Sequence, residues 1–174
     1  VAFWISLKTS LVGLTISIVF GLTLGVLMAQ AKWLERSLWP YLIALQVTPI
    51  IAIVPLMIKL VGSNFAARVL VTVIISLFPI VSNTLFGVQS TPKNMHDLFT
   101  LNKASRATRL LKLQLPAASP AIFSGLRISA GLAVIGAIVG DFFFAKGDPG
   151  LGKLITQFFL NSQASAMFVT ALAA

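Results

Sequence analysis

The chain has no cysteine and a single histidine, His96. A disulfide framework, a thiolate nucleophile and a cysteine-based metal site are therefore excluded. With no second ligand at suitable spacing, His96 does not predict a metal centre either. Acid is nearly as scarce: Glu35, Asp97, Asp141 and Asp148 are the only carboxylates, against 13 Lys and Arg. No two of the four are near neighbours, and no G-x-x-x-x-G-K-[ST] phosphate loop is present, so this chain is not expected to hydrolyse nucleotide. Gly150-Leu151-Gly152 is too short for a dinucleotide fingerprint and reads as a turn. No cluster of nucleophile, base or metal ligands appears, so the expectation is no catalytic residue, no metal and no cofactor. Arg127 and Asp141 sit near the ends of one apolar stretch, which is too little buried charge for a proton or sodium relay.

Charge of either sign is rare, at 10% of residues, whereas hydrophobic residues make up 57%. A soluble domain carries about 25% charged residues. The intervals between Lys8 and Lys32, Arg36 and Lys59, and Arg68 and Lys93 each hold more than twenty uncharged residues, and about 20 suffice to cross a bilayer core. The expected fold is an all-α polytopic membrane protein. Its spans are expected at about 10–31, 41–62, 68–90 and 120–144, with a fifth, incomplete, at 164–174. Apolar sequence is under way at Val1 and still running at Ala174, so the chain is expected to be truncated at both ends. The net charge of +9 is read as an orientation signal rather than as nucleic-acid binding, because short basic loops stay cytoplasmic. With segment 91–116 inside, that side holds Lys32, Arg36, Lys93, Lys103, Arg106, Arg109, Lys112 and Arg127. The other side holds Lys8, Lys59, Arg68, Lys146 and Lys153.

Along the chain, Gly21-x-x-x-Gly25 in the first span offers a surface for close helix approach. Pro40, Pro49 and Pro55 interrupt the second, each removing a backbone donor. Interrupted helices suit a pathway, and Gln46, Thr48, Pro49, Ser82, Asn83, Ser129 and Asp141 are candidate lining residues, although interhelical hydrogen bonding is the favoured reading for any single polar residue among them. In the basic loop, cations at 103, 106, 109 and 112 do not form one helical stripe. Two short helices, about 95–101 and 104–113, are expected with a bend near Asn102 and Lys103. Ser119 is expected to cap the fourth span, with Pro120 in its first turn, and Arg127 to snorkel to the headgroups. Asp141 near the far interface is suited to capping, pairing or touching substrate. Segment 145–152 is a strong turn signal. Beyond it Leu151, Leu154, Ile155, Phe158 and Phe159 recur at helical spacing, predicting an interfacial helix over about 151–161.

The loop also carries a resemblance. Asp97-Leu98-Phe99-Thr100-Leu101-Asn102-Lys103, nine further residues, then Leu113-Gln114-Leu115-Pro116 resembles the E-A-A-x-x-x-G, nine residues, I-x-L-P loop of the permeases of binding-protein-dependent ABC importers. Leu115-Pro116-Ala117-Ala118-Ser119-Pro120 through Gly125-Leu126-Arg127 is similar to the nitrate, sulfonate and taurine subgroup. The chain departs from the motif at Lys103, which stands where the family has glycine. A left-handed backbone costs lysine more than glycine, so a strained or reshaped loop is expected.

The resemblance implies a type I ABC importer permease bundle in the bacterial cytoplasmic (inner) membrane, forming the pathway for a small solute such as nitrate, a sulfonate, taurine or a vitamin precursor. It implies as partners a separate ABC ATPase subunit, a second permease copy and a periplasmic or lipoprotein substrate-binding protein. Asp97, Leu101, Asn102, Lys103, Ala104, Ser105, Arg106, Arg109, Leu115 and Pro116 would form the ATPase-coupling loop. The alternative is a secondary transporter or channel subunit whose basic loop anchors to lipid.

Overall fold

The computed structural model describes residues 1–62, 64–143 and 149–172. All regular structure among them is helical: α1 (Ala2–Gln30), α2 (Lys32–Val47), α3 (Ile50–Val61), α4 (Phe65–Gln89), α5 (Lys93–Leu101), α6 (Arg106–Arg109), α7 (Leu115–Phe143), α8 (Leu151–Leu160) and α9 (Ala164–Leu172). A π-helical turn, Leu110–Gln114, joins α6 to α7. Three stretches, Ala2–Gln30, Phe65–Gln89 and Arg106–Phe143, are long and apolar enough to cross a membrane, and α2 with α3 forms a further bent pair at 98°. Expectations for residues 144–148 lie outside the described residues.

The bend has one cause among the prolines. α2 runs straight through Pro40 and α3 spans Pro55, so the expectation that all three interrupt the helix is corrected: the break falls at Pro49 alone. A proline pushes the preceding residue out of the helical region, and Thr48 is extended at φ −69, ψ 122. Both limbs then pack on α4. Trp39 of α2 meets Phe86 edge-on at 5.6 Å beside a cluster of Met28, Leu42, Val81 and Leu85. Val54 and Met57 of α3 pack on Ala67 and Val71.

α4 is the central helix, held between α1 and α7. The face that α1 buries reads Ser6, Ser10, Gly13, Ser17, Gly21 and Gly25. Gly13 faces Thr72, Ser17 shares a 2.8 Å hydroxyl contact with Ser76, Gly21 faces Ile80 and Gly25 faces Thr84. Both ridges advance four residues per step in the same sense, so α1 and α4 run parallel, and their backbones approach closely because one ridge lacks side chains. α7 runs antiparallel to α4: Gly125 meets Asn83, Ser129 Oγ donates to Ser76 O at 2.7 Å, and Gly136 lies on Thr72.

A Cβ on Gly25 would sit 2.7 Å from Thr84 Cβ. Gly25→Leu is therefore expected to destabilise the protein by about 1–3 kcal/mol through overpacking. Thermal unfolding in detergent measures it, and a melting curve unchanged from wild type would contradict this register.

The start of α7 also departs from expectation. Ser119 and Pro120 do not open a helix, because the chain is helical from Arg106 onward. Pro120 cannot donate to the Pro116 carbonyl, and Ser119 Oγ donates there instead at 2.8 Å. The side chain thus replaces a bond that proline removes.

Candidate functional site

Segment 91–116 leaves one end of the bundle. Ser90 Oγ and Thr91 Oγ1 donate to the Gly87 and Val88 carbonyls at 2.8 and 3.0 Å, tying off α4. Pro92 then starts α5, none of whose residues is buried. Met95, Leu98 and Leu101 are 45%, 54% and 80% exposed. Their three-residue spacing places them along one side of the helix. An unburied apolar stripe on a basic loop is a surface built for contact.

α5 ends in a complete Schellman turn: Lys103 N–H donates to Thr100 O and Ala104 N–H to Phe99 O, both at 2.9 Å. That geometry needs a left-handed residue just past the cap, and Lys103 takes it at φ 49. The loop therefore makes the bend with lysine where the family motif has glycine, at a cost of about 1 kcal/mol. Lys103→Gly is expected to stabilise the loop by about that amount, seen as slower amide exchange over 98–104. Faster exchange would mean that the turn is not formed.

Ser105 then caps α6, its Oγ accepting from Thr108 N at 3.2 Å. Arg109 Nη2 donates to Thr100 Oγ1 at 3.1 Å, bracing α6 against α5 across the turn. The π turn follows because Pro116 has no N–H and crowds the carbonyl four residues back, and Leu115 N–H donates to Leu110 O, five residues back. Expected as two separate short helices, the loop is instead one short helix, α5, and a second segment continuous with α7. Of the loop residues singled out, Asp97, Leu101, Asn102, Lys103, Ser105, Arg106 and Pro116 are exposed, while Ala104, Arg109 and Leu115 are partly buried. Two amide contacts tie the same end together: Gln30 Nε2 to Gln114 Oε1 and Gln89 Nε2 to Glu35 Oε2, both at 2.8 Å.

A second feature lies at the α2–α3 break. A groove of about 350 Å³ opens there, lined by Gln46, Thr48 and Pro49 on one wall and by Ile75, Phe78, Pro79 and Leu132 on the other. Among the described residues no charged side chain lines it. Three of the candidate pathway residues, Gln46, Thr48 and Pro49, are thus brought together. The other four are elsewhere. Ser82 and Asn83 donate back to the Pro79 carbonyl at 3.3 and 2.8 Å, and Ser129 spends its hydroxyl on α4.

Asp141 is at the opposite end from the loop, in a knot that joins four helices. Its Oδ1 lies 3.0 Å from Arg68 Nη1, with the two side chains 1% and 3% exposed. Its Oδ2 accepts from Ser6 Oγ at 2.9 Å, and Ser6 Oγ accepts in turn from Leu151 N–H at 2.9 Å. A side chain on Gly150 would overlap the carboxylate, so a glycine there is required by close approach. Of the three roles open to Asp141, pairing with Arg68 is present, and the carboxylate also accepts from Gly152 N–H at the start of α8. Sequence reasoning does not name Arg68 as its partner, although opposite charges at the ends of two apolar stretches on one side are a signal for it.

The chain has clear relatives. The family described as binding-protein-dependent transport system inner membrane component matches residues 17–174. The formylaminopyrimidine transport permease protein ThiX of Halalkalibacterium halodurans is 38% identical over 151 residues, covering 84% of this chain and 60% of that protein. A probable ABC transporter permease protein of Haemophilus influenzae is 34% identical over 92% of this chain and 64% of its own length. The nitrate import permease protein NrtB of Leptolyngbya laminosa is 29% identical over 96% of this chain and 59% of its own length. The chain thus spans about 60% of the length of these relatives.

Proposed function

Because the chain belongs to the family of inner membrane components of binding-protein-dependent transport systems, we propose that it forms the membrane pathway of an ATP-driven importer and takes its drive through segment 91–116. The observation that carries this reading is α5, an exposed helix with an apolar stripe on a basic loop, hydrogen-bonded through Arg109 to the segment that continues into α7. Arg109 locks α5 to α6, and α6 runs without a break into α7. A displacement of α5 is thereby passed to α7, and from α7 to α4 along their shared face. Helical bundles respond to such a push by rigid-body rotation. A separate ATPase subunit supplies the push, and a second permease copy and an external binding protein complete the assembly.

The topology supports the same orientation. α1 and α4 run parallel, so α2 and α3 return the chain across the bundle as one bent passage. The two basic segments, 32–36 and 93–112, share an end, which is the cytoplasmic one by the positive-inside rule. The chain then resides in the bacterial cytoplasmic membrane. Gln46, Thr48 and Pro49 lie on the pathway, at the bend where freed backbone groups can face a cavity. An apolar groove with an amide, a hydroxyl and an aromatic ring suits an uncharged polar solute better than nitrate or bicarbonate, whose charge it does not complement. A relative of this chain is named for formylaminopyrimidine transport.

The test is co-purification followed by uptake. The full-length protein is expected to bring down an ATPase subunit and to support ATP-dependent uptake in liposomes with its binding protein. Uptake that proceeds without any ATPase would replace this reading with a secondary carrier.

A further inference from the structure

Between the helix ends on the loop side lies a hollow that neither the docking loop nor the groove accounts for. Its volume is about 490 Å³, and Lys32, Arg36 and His96 reach into it together with Glu35, Gln89 and Gln114. Five parts of the chain meet there: the end of α1, the start of α2, the end of α4, α5 and the π turn before α7. Glu35 already accepts from Gln89, so one of its acceptor sites is used within the wall. Glu35 keeps its negative charge, but Lys32 and Arg36 outnumber it, so the lining is net cationic, with Gln114 and the imidazole as further hydrogen-bonding groups. Trp33, next to Lys32, is 71% exposed. Amphipathic aromatic rings of this kind settle at headgroup depth.

We propose that this hollow binds a phosphate group, supplied by the headgroup of an anionic phospholipid in the leaflet on the loop side. A phosphate diester matches two cations and neutral donors set around a polar cavity, and basic pockets between helices at the cytoplasmic surface hold headgroups in this way. The placement has a consequence for the loop. On a helix of 3.6 residues per turn, Leu98 and Leu101 lie about 200° and about 140° around α5 from His96. His96 therefore faces the hollow while the apolar stripe faces away, and both surfaces can be occupied together. A bound phosphate would tie α5 to α2 and brace the docking helix against the bundle.

The full-length protein, purified from nanodiscs of phosphatidylglycerol or of phosphatidylcholine, is probed by native mass spectrometry for retained lipid. Retention of phosphatidylglycerol over phosphatidylcholine is expected, falling roughly thirtyfold in Lys32→Gln/Arg36→Gln, at about a factor of five per lost cation. Lys8→Gln/Lys59→Gln, on the opposite side of the membrane and with the same change in net charge, should retain lipid as wild type does. A second arm titrates inorganic phosphate in detergent and follows the melting midpoint. A rise in wild type that is absent from Lys32→Gln/Arg36→Gln, without lipid preference, supports the phosphate site with a soluble source. Equal retention by the two double variants overturns the proposal, as does wild type with neither lipid preference nor a phosphate response. If the double variant does not fold, the single Lys32→Gln and Arg36→Gln variants and the wild-type lipid comparison still decide.

Discussion

Asp141→Ala is expected to lower the stability of the protein by about 3–5 kcal/mol, the cost of removing one member of a buried ion pair. Arg68 is 3% exposed, and its head lies against Asp141 inside the four-helix junction. Removal of the carboxylate also leaves the Ser6 hydroxyl, which orients Leu151 N–H, without its acceptor. Replacing both charges by apolar groups of similar size should be far milder, because an ion pair in this setting contributes little beyond its own desolvation cost. Arg68→Met/Asp141→Leu is thus expected to recover most of what Asp141→Ala loses. Detergent unfolding of wild type, the single and the double variant measures the difference. Equal stability of Asp141→Ala and wild type would show that the pair is not buried in the folded protein.

Leu98→Asp/Leu101→Asp is the second large effect, and it acts on assembly rather than on folding. Both side chains are more than half exposed, so the variant should melt within about 0.5 kcal/mol of wild type, as exposed positions generally do. The proposed ATPase partner should bind at least tenfold more weakly, because apolar anchors at the centre of an interface carry over 1 kcal/mol each when truncated and the carboxylates add a desolvation cost. Transport in liposomes should be lost in parallel. Undiminished pull-down of the ATPase would mean that the stripe on α5 is not the docking surface, and the proposed coupling route would go with it.

Much of this is legible from residues alone. Uncharged intervals longer than twenty residues fall on α1 and α4, and the turn signal at Gly150 precedes α8. Pro49 can be named as a break from sequence, but its difference from Pro40 cannot: both remove a donor, and only the surrounding packing sets whether the helix runs on. Motif spacing locates the bend at Lys103, yet a lysine at that position points to a strained or reshaped loop. Its left-handed angle persists because two backbone hydrogen bonds close around it and Arg109 holds the next helix in place. A serine before a proline usually caps a helix, which is the reading Ser119 invites. In the folded chain it answers a carbonyl that exists only because the helix has already begun.

Composition and short-range spacing are enough to specify a bundle of membrane helices with one basic protruding loop, since charge scarcity and helical period are local quantities. Tertiary packing is what pairs Asp141 with Arg68, seats Gly25 on Thr84 and gathers Lys32, Arg36 and His96 around one hollow. The partners in each case are far apart in sequence, as Ser6 and Asp141 are at 135 residues. No local rule joins such residues. They meet because helices with flat, small-residue faces can approach only in one register, and that register carries every distant side chain to its neighbour.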